Sequence, residues 1–222
     1  MGGGISAAEI KAVEEEIVLL MMPVYFIPQA EVISRDINSC QDVWNLILDD
    51  RSPAYLEYIK KANPPPTSCI VWFYSVFYER LFNVHPLCRP LFTKGIESIG
   101  SFLVQMVSMS LGQLRDPSKF KKTMTSLAAR HCERGVKASE YGVIGEVLFY
   151  TLKKCLGDET YTTEIDTAWK KVFSVMLREI VPLVVNYERT GKFTSDVSVA
   201  PSASEADKRK VANQQTGENV PA

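Results

Sequence analysis

Histidine is scarce in this chain, which has two histidines among its 222 residues. The chain also lacks an excess of charge of either sign, because its 25 Lys and Arg residues nearly balance its 26 Asp and Glu residues and leave a net charge of -1. We therefore expect no nucleic-acid partner. The five cysteines include no C-x-x-C pair, so a structural zinc site is not expected, and we predict reduced thiols in a cytosolic compartment. The sequence also lacks dinucleotide-binding, phosphate-loop, zinc-protease and nucleophile-elbow motifs.

A long apolar run is absent as well. The longest, residues 17–27, is interrupted by Pro23 and is shorter than the ~20 residues that a membrane-spanning helix needs. The start of the chain fits the N-myristoylation pattern, with Gly2 after the initiator and Ser6 at the sixth position. The alternative is a flexible glycine start that is never acylated, since one myristoyl chain anchors only marginally and no second anchoring signal is evident. We therefore expect a cytoplasmic protein, with Gly2 as a candidate lipidation site for peripheral membrane contact.

Helical periodicity organises most of the chain. Proline and glycine divide it into segments, and within them apolar residues recur every three or four positions. One such stripe consists of Ile96, Ile99, Leu103, Val107, Leu111 and Leu114. We expect helices over 7–22, 34–48, 53–61, 86–92, 96–114, 120–134, 139–156 and 163–187, and another that Thr67 or Ser68 caps and that runs to Asn83. Because no segment between 67 and 187 has the period of a strand, we predict an all-α fold, followed by a disordered tail over 194–222 without aromatic residues.

Three blocks of sequence, in this order, resemble the globins. The first is residues 77–86 (FYERLFNVHP) with 90–92 (PLF), and the third is 168–173 (AWKKVF). The second block is more specific: 127–131 (LAARH), 135–137 (GVK), Tyr141 and 143–146 (VIGE). It is similar to the proximal-histidine region of neuroglobins, globin X and the globin domain of flavohaemoglobins. The resemblance covers about 67–187, with 34–48 and its Trp44 as a candidate first helix, and it implies a globin fold that binds haem b.

The resemblance also implies a division of the chain. Residues 1–33 would be an N-terminal extension with additional helices and the candidate lipidated start. Residues 34–190 would be the globin domain, with an inserted segment at about 49–66, and 191–222 the disordered tail.

The two histidines differ in their surroundings. Haem is a large apolar disc, so it needs a slot between helices and one strong axial ligand. His131 lies late in a predicted helix near apolar Leu127 and Val136, whereas His85 precedes Pro86 at a helix junction, where a solvated or capping role fits. A lone histidine on an apolar face is more often an ordinary core residue, but the three ordered blocks favour His131 as the proximal ligand of the iron.

The resemblance assigns further residues to the pocket. Phe92 matches the phenylalanine that stacks on haem, and Tyr78 then falls at the distal position, where a phenol donates a hydrogen bond to bound oxygen. Both residues are otherwise explained as packing aromatics. The other side of the pocket would be lined by Leu127, Val136, Tyr141 and Ile144.

The residue at the entrance to the distal side of the pocket, the distal gate, would be Ile99 if the alignment with the globins has no gap before His131. Leu103 then lies one turn further on. Since only seven positions separate Phe92 from Ile99, Ile96 is the alternative gate. None of these isoleucine and leucine side chains can ligate iron. We therefore expect five-coordinate ferrous iron, unlike the double-histidine ligation common in neuroglobin.

The proximal side departs from flavohaemoglobins. There a tyrosine and a glutamate form hydrogen bonds near the histidine and make the imidazole more electron-donating. Tyr141 matches the tyrosine, but the glutamate position falls at Val184, with Glu179 and Glu188 as neighbours. Strong proximal donation and efficient peroxidase-type chemistry are therefore not implied.

Three functional hypotheses follow. The first is an oxygen-binding protein for transport or sensing, with O2, CO and NO as ligands. The second is a nitric oxide dioxygenase with Tyr78 as its distal group. It would need an external reductase, since the chain leaves no room after residue 187 for a flavin and nicotinamide domain. The third is a helical interaction module without haem.

Overall fold

The computed structural model describes residues 6–92 and 95–195, with the side chains of 7–11 left out. In this part of the chain there are eight α-helices, a short 3₁₀ helix at Pro86–Leu91, and no strand. The helices are α1 Ala7–Leu20, α2 Ser34–Leu48, α3 Pro53–Ile59, α4 Cys69–Val84, α5 Ile96–Gln113, α6 Pro117–Glu133, α7 Glu140–Leu156 and α8 Thr163–Thr190. The all-α prediction is confirmed. Gly2 and nearly all of the predicted tail lie outside the described residues.

Side-chain caps fix where several helices begin. Ser68 accepts a hydrogen bond from the backbone of Val71 at the start of α4, as Asp116 does from Lys119 at the start of α6. This cap corrects one sequence prediction, because α6 begins three residues before Phe120. Pro117 occupies its first turn, where a proline is tolerated since the first turn has no intrahelical partner for its missing N–H.

The core forms where α4 packs against α7, α5 and α2, and where α8 packs against α6 and α2. Trp44 of α2 lies at the centre, with its ring centroid 5.1 Å from that of Phe73 and 6.3 Å from that of Trp169. Its indole N–H donates to Ser108 Oγ at 2.9 Å. These contacts join α2 to α4, α5 and α8, so residues 34–48 are part of the same core as the later helices.

A close approach of α5 to α4 positions the region between Phe92 and α6. A Cβ at Gly100 would lie 2.9 Å from the Cβ of Tyr74 and would overlap its ring. Glycine is therefore required there for the two helices to touch.

The inserted segment at about 49–66 is also packed against the later helices. The insertion contains α3, which contacts α7, and its Tyr58 stacks on Trp72 with ring centroids 4.5 Å apart. The five cysteines are all buried, free thiols. None of the described helices is both long enough and apolar enough to cross a membrane.

Candidate functional site

His131 lies in the last turn of α6, and its side chain is partly buried. Burial, reinforced by the cationic Arg134 and Arg130, lowers the pKa of the imidazole from 6.5 to about 4. The ring is therefore neutral at pH 7. Its Nδ1 atom lies 2.9 Å from the hydroxyl of Tyr141, and Nε2 is not part of this bond.

Tyr141 lies in the first turn of α7 and is buried. Burial raises its pKa above the usual value, so the phenol keeps its proton. Val184, the position matched to the flavohaemoglobin glutamate, is an apolar residue with no exposed surface. The carboxylate of Glu188 instead accepts a hydrogen bond from the backbone of Ala138 at 2.9 Å. The partner of the imidazole is thus a neutral hydroxyl.

A second group of side chains lies on α4, on α5 and at the end of the 3₁₀ helix. Tyr78 is buried, and its ring is 5.4 Å from that of Phe92 in an edge-to-face arrangement. Its hydroxyl donates to the backbone carbonyl of Ile99 at 3.3 Å. Burial raises the pKa of Tyr78, so this phenol also remains a hydrogen-bond donor.

Several of the predicted pocket residues differ from the core residues because their side chains are partly exposed to solvent. The residues Phe92, Ile99, Leu103, Leu127, Val136 and Ile144 are apolar and partly buried, like His131. Ile96, the alternative gate, is 47% exposed. Neighbours one turn away on α5 and α6, such as Val107 and Ala128, are buried.

The recorded bonds and ring contacts join these residues into two groups. One is Tyr78 with Phe92 and Ile99, and the other is His131 with Tyr141. Helix α5 packs against both α4 and α6 and so lies beside both groups. A neutral imidazole with one nitrogen engaged, on a helix that packs against α5, and half-buried apolar side chains on α5, α6 and α7 are the kinds of group that a flat apolar cofactor with a metal centre requires. The residues present therefore fit haem.

Two neighbours of this site were not predicted from the sequence. Glu140 lies with Oε1 2.9 Å from Nε2 of His85, and its Oε2 accepts from the backbone of Lys137 at 2.6 Å. Tyr25 donates from its hydroxyl to the carbonyl of Gly142 at 3.0 Å. The one sequence feature that could have pointed to Glu140 is its position next to Tyr141 at the start of a predicted helix. The sequence carries none for Tyr25, which is 117 positions from its partner.

Comparison with known proteins gives a family match and a set of relatives. The family model described as Globin matches residues 75–180. A flavohemoprotein of Rhizobium meliloti (strain 1021) is 28% identical over 100 residues, which are 44% of this chain and 25% of that protein. The flavohemoproteins of Bordetella pertussis and Bordetella parapertussis are each 28% identical over 116 residues, 51% of this chain and 28% of each relative. The chain thus spans about a quarter of the length of the curated relatives it matches.

Proposed function

We propose that this chain, whose residues 75–180 match the family model described as Globin, is a haem-binding globin and holds haem b with Nε2 of His131 as the axial ligand to iron. The observation that carries the proposal is the neutral imidazole of His131, whose Nδ1 is engaged by Tyr141 at 2.9 Å. A metal-binding imidazole normally uses its second nitrogen in this way, because the hydrogen bond fixes the tautomer and the ring orientation.

Tyr141 acts on the proton of the imidazole. When Nδ1–H donates to its hydroxyl oxygen, the proton is held at Nδ1 and the lone pair of Nε2 remains for the metal. Because Tyr141 keeps its own proton, it is a weaker acceptor than a carboxylate. We therefore propose only moderate electron donation from His131, and we do not propose peroxidase-type chemistry.

Haem supplies an iron atom whose open face binds diatomic gases such as O2, CO and NO. On that face Tyr78 provides a protonated donor, and Ile99 and Leu103 provide an apolar wall. We propose Ile99 rather than Ile96 as the gate, since the hydroxyl of Tyr78 donates to the backbone carbonyl of Ile99, whereas the side chain of Ile96 is 47% exposed.

The iron is five-coordinate in the ferrous state under this proposal. His85 is the remaining histidine of the chain, and its Nε2 is 2.9 Å from Glu140, at the junction between α4 and the 3₁₀ helix. Leu103 and Ile99 offer no ligand atom. The function that follows is oxygen binding, for transport or sensing.

Titration of the haem-free protein with hemin tests the proposal. We expect one hemin per chain, and reversible oxygen binding after reduction. His85→Ala is the matched control, because it removes the other histidine and is expected to leave the stoichiometry of hemin uptake unchanged. Equal loss of binding in His85→Ala and His131→Ala would contradict the assignment.

Nitric oxide dioxygenation is the second candidate. Buried, protonated Tyr78 favours it, because its hydroxyl can stabilise bound oxygen while nitric oxide reacts. In that reaction nitric oxide and oxygen, with one electron from an external reductase, give nitrate. We expect rapid, near-stoichiometric loss of the oxy spectrum on adding nitric oxide, and sustained nitrate production only with a reductant present. A single decay without turnover under reductant would leave oxygen binding as the function.

A further inference from the structure

Residues 21–33 connect α1 to α2 and lie across α7 and α8, and we call them the strap. Tyr25 donates to the carbonyl of Gly142 on α7 at 3.0 Å. The backbone N–H of Ile27 donates to Ser174 on α8 at 3.0 Å, and Arg178 on α8 donates to the carbonyl of Ala30 at 2.8 Å. The strap is thus bonded to both helices at three points along its length.

Two glycines of α7 make room for the strap. A Cβ at Gly145 would overlap the hydroxyl of Tyr25 and lie 2.7 Å from the ring of Phe173, and one at Gly142 would lie 3.1 Å from the Cβ of Pro23. The ring of Tyr25 is 5.0 Å from that of Phe149 in an edge-to-face contact. The notch between the two glycines therefore fits the tyrosine, and burial raises the pKa of its phenol, so the hydroxyl remains a donor.

The first turn of α7 is held from three directions. Glu140 bonds His85, Tyr141 bonds His131, and Gly142 bonds Tyr25. These three residues are consecutive, so a displacement of the Gly142 carbonyl would be transmitted along the backbone to Tyr141. The side chain of Tyr141 can keep its hydroxyl at 2.9 Å from the imidazole only while this turn keeps its place.

The geometry points to Tyr25 as a positioning residue for His131, which acts through the first turn of α7 and the hydroxyl of Tyr141. This inference rests on the proposed role of His131 as the ligand. Tyr25 lies outside residues 75–180, which match the family. The strap therefore contributes to the environment of the ligand.

Tyr25→Phe in the full chain tests the inference, because it removes the hydroxyl and keeps the ring in the notch. Tyr150→Phe is the matched control, a tyrosine on the same helix that is 42% exposed. In the haem-free protein we expect amide hydrogen exchange over residues 141–147 to become about fivefold faster in Tyr25→Phe, the effect of losing one ordinary hydrogen bond. We expect no change in Tyr150→Phe.

The second readout is the nitrogen NMR shift of His131 Nδ1 in the haem-free protein. We expect Tyr25→Phe to move it in the same direction as Tyr141→Phe, and Tyr150→Phe to leave it in place. In the haem-loaded ferrous protein, the iron–histidine stretching frequency should fall in Tyr25→Phe and Tyr141→Phe, because a weaker Nδ1 hydrogen bond makes the imidazole a poorer donor.

The outcomes separate the two proposals. Faster exchange with an unchanged Nδ1 shift would make the strap a packing element only and would overturn the inference, as would unchanged exchange and shift. If the wild type takes up no hemin, the proposed function fails, and the positioning of His131 is still judged by the Nδ1 shift. Gly145→Ala, which leaves no space for the hydroxyl of Tyr25, should shift Nδ1 as Tyr25→Phe does.

Discussion

Removing the hydroxyl of Tyr78 is expected to speed the release of oxygen. Tyr78→Phe keeps the aromatic ring, and with it the edge-to-face contact to Phe92 at 5.4 Å. In the structure the hydroxyl donates to the carbonyl of Ile99 at 3.3 Å, which is long for an O–H···O hydrogen bond. In the proposed distal role, Tyr78 would therefore give up only a weak bond to turn toward bound oxygen.

The magnitude follows from these two bonds. A hydrogen bond with a charged or strongly polarised acceptor contributes roughly 1.5–3 kcal/mol, and a neutral one roughly 0.5–1.5 kcal/mol. Since the bond to Ile99 is at the weak end, the net contribution of Tyr78 is roughly 1–2 kcal/mol. This corresponds to about 5- to 30-fold faster oxygen dissociation in Tyr78→Phe.

The assay is stopped-flow displacement of oxygen by carbon monoxide from the ferrous protein. Tyr74→Phe is the matched control, a buried tyrosine one turn earlier on the same helix whose ring lies against Gly100. Carbon monoxide is a poor hydrogen-bond acceptor, so its own dissociation rate should change little. An oxygen dissociation rate in Tyr78→Phe within twofold of the wild type would refute the distal role of the phenol.

Three further predictions concern stability and modification. Burial lowers the pKa of His131 from 6.5 to about 4, so as the pH falls the unfolded chain binds a proton at this imidazole before the folded chain does, and the haem-free protein should lose about 3 kcal/mol of its free energy of unfolding between these pH values. Denaturant midpoints of the wild type and His131→Gln across this pH range measure the loss, and the same pH dependence in both proteins would contradict it. Gly100→Ala should destabilise the protein by roughly 1–3 kcal/mol, because the added methyl group overlaps Tyr74, whereas Gly112→Ala should be neutral or stabilising, because the space around Gly112 is open. Thermal melts in which Gly112→Ala is the less stable variant would contradict the packing argument. Co-expression with an N-myristoyltransferase should add one myristoyl mass that Gly2→Ala abolishes, and an unmodified wild-type mass would rule out acylation at Gly2.

Local chemistry explains what the sequence could predict. The bounds of α2 and the cap at Ser68 follow from periodicity and from a short polar side chain before an apolar run. The sequence predicts the start of α6 three residues too late because proline usually separates helices, although Pro117 is well tolerated in a first turn.

Packing between distant segments explains what the sequence could not predict. The resemblance placed Tyr141 near His131, and the structure records that bond at 2.9 Å. The bonds of Glu140 to His85 and of Tyr25 to Gly142 join residues 55 and 117 positions apart. No local period encodes such pairs, since they depend on how the strap and α4 pack against α7.

The absorbance spectrum of the purified ferrous protein, with and without carbon monoxide, tests the central assignment most directly. The wild type should take up one hemin, show the single broad visible band of five-coordinate ferrous haem, and shift sharply when carbon monoxide is added. His131→Ala should lose haem or lose that band. A colourless wild type that refuses hemin, or a His131→Ala spectrum identical to that of the wild type, would contradict ligation by this imidazole.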